Sequence, residues 1–368
     1  MMLFMKKPNK ILMTADTIGG VWTYAIDLAD CLSKKGIRVH LATMGAFADE
    51  DQVEQAKKIK NLKLYQSNYK LEWMDNPWHD VDAAGHWLLE LQENIKPNLI
   101  HLNNYCHGHL PWKAPVLMVC HSCVLSWWQA VKNEDAPPYF QEYQQRVQAG
   151  LQAADLVIAP TQAMLNSICH IYGDLSLKKT IPNGSSIQHQ DPKKEDFIFC
   201  MGRIWDEAKN ISLLNKITHL VKWPILTAGD QQLENKASTS FTGLESLGRL
   251  SSALAIKTLE KAAIYVLPAK YEPFGLSVLE AAQASCVLVL GDIPSLKENW
   301  QDAAFFVDTD DALALAMLLN MLIEDPELRE IYSKKAYERA QEFKSSQTAH
   351  HYQMAYHQLL NETTSTSI

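Results

Sequence analysis

Residues 271–282 read YEPFGLSVLEAA and follow an apolar run that is typical of a buried parallel strand. Pro273 and Gly275 interrupt the chain, and the segment from Gly275 or Leu276 to Gln283 then has helical composition without an interior breaker. We therefore predict a strand, a tight loop and a helix in that order. The unpaired N–H groups and the dipole at the start of such a helix both favour a bound anion.

Two carboxylates flank this predicted anion site. Glu272 comes just before it, and Glu280 follows about two helical turns later, roughly 8–12 Å away if the intervening residues are mostly helical. A phosphate alone would explain neither acid, whereas a ligand with hydroxyl-bearing rings on either side of a phosphate would explain both. The alternative is that Glu280 is a solvated residue on a helix face and that Pro-Phe-Gly is only a turn.

Glu272 and Glu280, with Pro-Phe-Gly between them, resemble the glutamate-x7-glutamate motif of retaining nucleotide-sugar glycosyltransferases of family 4, which have the two-domain GT-B fold. The resemblance implies that Glu280 holds the ribose hydroxyls of the nucleotide. It also implies that Glu272 and the backbone amides of Phe274, Gly275 and Leu276 meet the transferred sugar and its phosphates.

Composition indicates an ordinary globular protein. A length of 368 residues suits two domains, and a net charge of −8 gives no support for a nucleic-acid surface. The sequence contains neither a signal peptide nor the roughly 18–20 apolar residues of a membrane-spanning helix, so we expect a cytoplasmic protein with at most peripheral membrane contact. Seven cysteines, mostly inside apolar strands, fit a reducing compartment without structural disulfides.

Strand and helix patterns alternate along the whole chain, which predicts an α/β fold of two Rossmann-like, doubly wound parallel-sheet domains facing across a cleft. The Pro-, Asn-, Gly- and Ser-containing run at residues 180–186, followed by the polar run at residues 188–196, is the best linker candidate. We expect residues 1–187 to form an acceptor-side domain and residues 188–345 to form the nucleotide-sugar domain. Residues 346–368 are predicted to form a C-terminal helix and tail that packs back on the first domain.

Gly19 and Gly20 follow the first predicted strand and precede a helix. Glycines in such a loop let the backbone approach a phosphate closely. The pattern is not the G-x-G-x-x-G fingerprint, so a nicotinamide cofactor is not supported. By the family resemblance, Gly19 and Gly20 form the first-domain loop that faces the diphosphate.

Arg203 and Lys209 flank a loop between the strand Phe197–Met201 and the next helix. Two cations beside a helix start would neutralise a diphosphate and stabilise it as a leaving group. The alternative is two surface cations, since both residue types are usually exposed. Their spacing resembles that of the Arg and Lys pair that grips the donor diphosphate in family 4 transferases.

His121 follows another predicted strand. A histidine at the carboxyl end of a strand can hydrogen-bond a hydroxyl or a developing charge, although a lone histidine is more often structural. Its position matches the family's active-site histidine near the transferred sugar. Candidates for stacking on the acceptor in this half of the chain are its aromatic residues and one histidine, namely Trp73, Trp78, Tyr105, His107, Trp127 and Trp128.

A zinc or redox site is the alternative interpretation of the Cys-His-Ser-Cys run at residues 120–123, with Cys106, His107 and His109 also close in sequence. Cys120 ends an apolar strand, however, and a buried cysteine is the ordinary expectation there.

Taken with the resemblance, these patterns predict a retaining hexosyltransferase. Its donor would be a UDP- or GDP-linked sugar, and its acceptor a glycan, a lipid-linked sugar or a small molecule. Because no Asp-x-Asp pair sits at a suitable strand end and two cations would replace a metal, we expect neither a metal nor a cofactor. Front-face attack is implied by the resemblance alone. An inverting GT-B transferase, an epimerase and a non-catalytic nucleotide-sugar-binding protein remain alternatives.

Overall fold

The computed structural model describes residues 8–187, 193–230 and 241–365. The chain divides into two compact units. Unit 1 comprises Met1–Trp128, Asp135–Gly184 and Ser345–Ile368, and unit 2 comprises Gln129–Glu134 and Ser185–Lys344. Residues 1–7, residues 188–192 of the predicted linker region, residues 231–240 and residues 366–368 lie outside the described part of the chain.

Each unit contains one parallel sheet, in the order β3-β2-β1-β4-β5-β6-β7 in unit 1 and β10-β9-β8-β11-β12-β13 in unit 2. In chain order the strands are β1 Lys10–Asp16, β2 Arg38–Met44, β3 Leu62–Gln66, β4 Leu99–Leu102, β5 Val116–Val119, β6 Leu156–Ala159, β7 Lys178–Thr180, β8 Glu195–Met201, β9 Ile225–Ala228, β10 Glu245–Ser246, β11 Ala262–Leu267, β12 Val287–Gly291 and β13 Phe305–Val307.

Helices connect the strands and follow the last of them. They are α1 Gly20–Lys34, α2 Glu50–Lys57, α3 Trp78–Ile95, α4 Val124–Lys132, α5 Gln141–Ala153, α6 Gln162–Tyr172, α7 Ile211–Ile217, α8 Ser252–Lys261, α9 Leu276–Gln283, α10 Pro294–Trp300, α11 Ala312–Glu324, α12 Pro326–Ala340 and α13 Ser345–Ser365. Short 3₁₀ turns cover Cys106–His109, Pro138–Phe140 and Glu207–Lys209.

The central strands consist of buried apolar residues because helices cover both faces of a parallel sheet. Every residue of β4, β5, β6 and β11 is buried. The α/β class and the two parallel sheets predicted from the alternating pattern are therefore confirmed. The helix predicted after Gly275 is confirmed as α9.

Two elements, α4 and β7, were not predicted from the sequence. Strand β7 reads Lys-Lys-Thr and lies at the edge of its sheet, so it has no apolar pattern to reveal it. Helix α4 contains the adjacent pair Trp127 and Trp128, whose aromatic character does not distinguish a helix from an irregular segment.

The strand order reverses direction once in each sheet, and the position of this reversal predicts where a ligand binds. In unit 1 the reversal lies between β1 and β4, and in unit 2 it lies between β8 and β11. Open parallel sheets bind ligands outside the carboxyl ends of the strands at such a switch point. The loops that follow these four strands are therefore the candidate site regions.

The C-terminal helix α13 belongs to the core of unit 1. The Tyr356 hydroxyl is 2.7 Å from Nδ1 of His101 on β4, and Thr348 Oγ1 donates to the Pro182 carbonyl at 3.0 Å. Burial lowers the pKa of His101 to about 3, so this contact is made by a neutral imidazole. Within the residues that the structure describes, no helix has both the length and the apolarity needed to cross a membrane.

Candidate active site

An ion pair occupies the switch point of unit 2. Lys209 follows β8 and Glu272 follows β11, and Lys209 Nζ lies 2.6 Å from Glu272 Oε2. Each of the two side chains is only 13% exposed. The fold thus brings together two residues that are 63 positions apart and that were both predicted from the sequence as site residues.

The position of Lys209 is fixed by the residues around it. Asn210, which has a left-handed φ of 56°, donates from its side-chain amide to the Pro268 carbonyl just beyond β11 at 3.1 Å. The Lys270 amide in turn donates to the Ala208 carbonyl at 2.8 Å. These bonds join the loop after β8 to the loop after β11, which holds the ammonium of Lys209 close to the carboxylate.

Helix α10 holds the backbone of the Glu272 loop. Ser295 Oγ donates to the Glu272 carbonyl at 2.6 Å, and Asn299 Nδ2 donates to the Phe274 carbonyl at 3.3 Å. The Phe274 ring is buried and packs edge-on against Phe343, with ring centroids 5.7 Å apart. Phe274 is therefore a core side chain, and only its backbone remains for the predicted contact with the sugar phosphate.

The start of α9 lies next to this loop. Gly275 precedes the helix with a left-handed φ of 89° and provides no side-chain cap for its first turn. A Cβ at Gly275 would come within 3.0 Å of the Val278 side chain, so both conformation and space favour glycine. The first-turn amides, beginning with Leu276, are thus oriented as a helix start that can bind an anion. Glu280 lies further along α9 and is half-buried.

Arg203 lies in the same loop as Lys209 but has a different partner. Its Nη2 is 2.7 Å from Oδ2 of Asp206, a buried carboxylate that also accepts from the Ala208 amide at 3.0 Å. The guanidinium lies over the Trp205 ring, 5.4 Å from its centroid. Asp206 was not predicted as a site residue. The sequence signal that could have identified it is the preference of Asn and Asp for the position that caps a helical turn, here the turn Glu207–Lys209.

His121 lies just beyond β5 in unit 1, where it contacts two residues that were not predicted to be functional. Its Nε2 is 2.8 Å from Oδ1 of Asn103, which follows β4. Its ring packs edge-on against Tyr24 of α1, with ring centroids 4.5 Å apart. Burial lowers the pKa of His121 to about 3, so its imidazole is neutral at physiological pH.

A buried carboxylate anchors the loop that begins with Asn103. Glu72 Oε1 accepts from the Tyr105 amide at 3.0 Å, and its Oε2 accepts from the Cys106 amide at 2.8 Å. Burial raises the pKa of Glu72. Tyr105 and His107 are buried in this loop, so they are core residues and are not available to stack on an acceptor.

Gly19 and Gly20 follow β1 in unit 1. Gly19 precedes α1 with a φ of 101°, which favours glycine, and Gly20 is the first residue of the helix. The Ile18 amide donates to Oδ1 of Asp16 at 3.1 Å and closes the turn. The loop after β1 therefore has the strand, glycine turn and helix arrangement expected for a phosphate-binding loop.

The cysteines near His121 belong to the core. Cys106, Cys120 and Cys123 are buried, and Cys123 Sγ lies 3.2 Å from the Tyr172 hydroxyl. Burial also raises the pKa of the Cys106 and Cys120 thiols, which keeps them protonated. In the described part of the chain, no group of three or more His, Cys, Asp or Glu residues is placed to hold a metal ion.

Two family models together match nearly all of the chain. The model described as Glycosyltransferase Family 4 matches residues 18–188, and that described as Glycosyl transferases group 1 matches residues 185–339. The chain belongs to glycosyltransferase family 4, as the glutamate-x7-glutamate motif predicted.

Curated relatives match over shorter stretches. A phosphatidyl-myo-inositol mannosyltransferase from Mycolicibacterium smegmatis is 28% identical over 163 residues, which are 41% of this chain and 42% of the relative. The serotype-specific mannosyltransferase WbdA from Escherichia coli is 22% identical over 311 residues, 70% of this chain and 36% of the relative. The matches therefore span less than half the length of either relative.

Solved structures share the fold over almost the full chain. Sucrose-phosphate synthase from Thermosynechococcus elongatus superposes with a TM-score of 0.81 at 17% identity, covering 96% of this chain and 100% of that chain. Anabaena HepE in complex with UDP-glucose superposes with a TM-score of 0.71 at 17% identity, covering 97% and 99%. These likenesses confirm the GT-B fold class.

Proposed function

We propose that this chain transfers a hexose from a UDP- or GDP-linked sugar to a carbohydrate, lipid-linked or small-molecule acceptor, with retention of the anomeric configuration. The observation that carries the proposal is the arrangement at the switch point of unit 2. There, a partly buried ammonium, a partly buried carboxylate and an uncapped helix start lie on adjacent loops. Family membership and the nucleotide-sugar complex of one structural neighbour support it.

Each site residue has a role in this proposal. Lys209, Arg203 and the first-turn amides of α9 stabilise the negative charge that develops on the departing diphosphate. The backbone around Gly275 binds a phosphate, and Glu280 binds the ribose hydroxyls.

Glu272 has one partner in the free protein and another in the complex with the donor. It pairs with Lys209 in the free protein and meets the transferred sugar in the complex. When the diphosphate approaches, the ammonium exchanges its single carboxylate partner for the ligand's oxygens, so the ion pair keeps Lys209 in place before binding. Because cations and amides carry the leaving-group charge, the reaction proceeds without a metal or cofactor.

In unit 1, His121 and the loop of Gly19 and Gly20 act in the same reaction. His121 contacts the transferred sugar, and the glycine loop contributes backbone amides to the diphosphate. Retention follows from front-face attack, in which the leaving phosphate accepts the proton of the acceptor hydroxyl. A cytoplasmic location and an acceptor recognised by unit 1 belong to the same proposal.

A donor screen tests this function. We expect UDP-glucose, GDP-mannose or a related nucleotide sugar to raise the midpoint of thermal unfolding, since a ligand at 100 times its Kd stabilises by about 2.7 kcal/mol. The stabilising donor should then release its nucleoside diphosphate in the presence of an acceptor, and the anomeric coupling of the product in NMR should show retention. If no nucleotide sugar shifts the midpoint and none is consumed, the proposal is wrong. An inverted product would leave a transferase but reject the retaining mechanism.

A further inference from the structure

We infer that Asn103 is a positioning residue that fixes His121 in its Nε2–H tautomer, so that Nδ1 faces the substrate as a hydrogen-bond acceptor. The inference deepens the proposed function and rests on it for the identity of the substrate, a sugar. The assignment of the tautomer itself rests only on contacts within unit 1.

The orientation of the Asn103 amide follows from its second partner. One end of the amide lies 2.6 Å from the Thr14 carbonyl oxygen. A carbonyl can only accept, so this end must be the NH₂ group, and the opposite end is the oxygen that faces His121. Oδ1 of Asn103 can also only accept. The His121 nitrogen that lies 2.8 Å from it, Nε2, must therefore carry the hydrogen.

The hydrogen bonds of Asn103 continue through Thr14 and Asn104 to His107. The Asn103 backbone amide donates to Thr14 Oγ1 at 2.9 Å, which leaves the Thr14 hydroxyl to donate to Oδ1 of Asn104 at 2.9 Å. Asn104 Nδ2 then donates to Nδ1 of His107 at 2.5 Å, and His107 Nε2 donates to the Val81 carbonyl at 2.9 Å.

The carbonyl oxygens of Thr14 and Val81 can only accept hydrogen bonds. They therefore fix, for each side chain in this chain of hydrogen bonds, which atom donates and which accepts. A flip of the Asn103 amide would place two carbonyl oxygens in contact, so the network has no alternative arrangement at this position.

The surroundings keep His121 neutral. Among the described residues, the titratable groups that face it are Tyr24 of α1 and His101 of β4. Burial raises the pKa of the Tyr24 hydroxyl and lowers the pKa of His101 to about 3, so both groups are uncharged at physiological pH. Burial is the cause of the lowered pKa of His121.

This arrangement decides between the two roles that the sequence left open for His121. A neutral imidazole whose only N–H is used by Asn103 cannot donate to a negative oxygen. It can accept from a hydroxyl at Nδ1, so His121 selects a substrate that presents a hydroxyl group there. A site that requires such a bond discriminates strongly against an analogue that lacks the hydroxyl.

The tautomer can be read directly by long-range ¹H–¹⁵N NMR on protein labelled in its histidines, with His121→Gln used to assign the signal. We expect wild type to show the Nε2–H pattern, unchanged between about pH 5 and pH 8, since the folded pKa lies near 3. Asn103→Asp keeps an oxygen acceptor toward His121 but replaces the NH₂ group that donates to the Thr14 carbonyl with a second oxygen. When the new carboxyl group is ionised, its charge should raise the pKa of His121 into the measured range. Turnover should then fall as the pH falls through that raised pKa.

Asn103→Leu should mix the tautomers and lower kcat/KM by up to about tenfold, which corresponds to the loss of one hydrogen bond. Asn166→Asp, an exposed change of the same charge in α6, is the matched control and should alter neither readout.

A wild-type Nδ1–H pattern, or an Asn103→Leu variant that keeps the pure Nε2–H pattern of wild type, would overturn the inference. The NMR pattern requires no substrate, so a protein with the expected tautomer and no donor turnover would reject the proposed function while leaving the role of Asn103 intact.

Discussion

Replacing Lys209 with methionine is expected to lower turnover of the nucleotide-sugar donor by about 10²-fold or more, because it removes one group that stabilises the developing charge of the diphosphate. The measurement is steady-state release of UDP or GDP. Methionine retains most of the length of the lysine side chain, so the loss reports the ammonium and not the space that it fills.

The partner carboxylate complicates this variant, and two controls address it. Without Lys209, the carboxylate of Glu272 is left unpaired at 13% exposure, which costs stability in addition to activity. The double variant Lys209→Met with Glu272→Gln removes both charges and should regain stability without regaining turnover. Lys222→Met is the matched single control, since Lys222 is 59% exposed and pairs with Glu324. Turnover within about twofold of wild type in Lys209→Met would reject the role of the ammonium.

Replacing Gly229 with alanine is expected to destabilise unit 2 by about 3 kcal/mol or more, because overpacking and backbone strain act together. Gly229 follows β9 with a φ of 141°, and a Cβ there would lie 1.7 Å from the Gly202 carbonyl oxygen. Gly202 begins the loop that carries Arg203 and Lys209, so the displaced backbone would also move the site. Chemical denaturation of the full chain measures the loss of unfolding free energy.

Gly248→Ala provides the matched control for this substitution. Gly248 also has a positive φ, 66°, but a Cβ there would have no neighbour within 4 Å. We expect it to cost only about 1 kcal/mol, the typical penalty for a non-glycine residue in the left-handed region. Equal losses in the two variants would show that conformation, and not the contact with Gly202, determines the effect.

The strands and the helix start at the site follow from local sequence. An apolar run, a Pro and Gly turn and a helical segment predicted β11 and α9 because each signal lies within a few residues of the element it defines. Lys209 and Glu272 were predicted as separate members of a site. Their ion pair was not predicted, because it depends on which strands are neighbours at the switch point.

The residues that hold the site in place could not be predicted from local patterns. Asn103 is oriented by Thr14, which lies 89 positions away in the chain, and Ser295 holds Glu272 from a helix 23 positions away. Asn and Ser are common loop residues whose sequence signal is a turn or a cap. The role of Asn103 becomes visible only when the sheet of unit 1 brings the carboxyl ends of β1 and β4 together, and that of Ser295 only when α10 lies beside the loop after β11.

The central claim is that a nucleoside diphosphate binds at the start of α9, beside Lys209. The most direct test is a ¹H–¹⁵N TROSY titration of the labelled protein with UDP and, separately, GDP. We predict that one of them shifts the backbone amide signals of Gly275, Leu276 and Ser277 in a saturable manner, and that Lys209→Met weakens the binding. Saturable binding that leaves these amides unshifted, or no binding of either nucleotide, would contradict the claim.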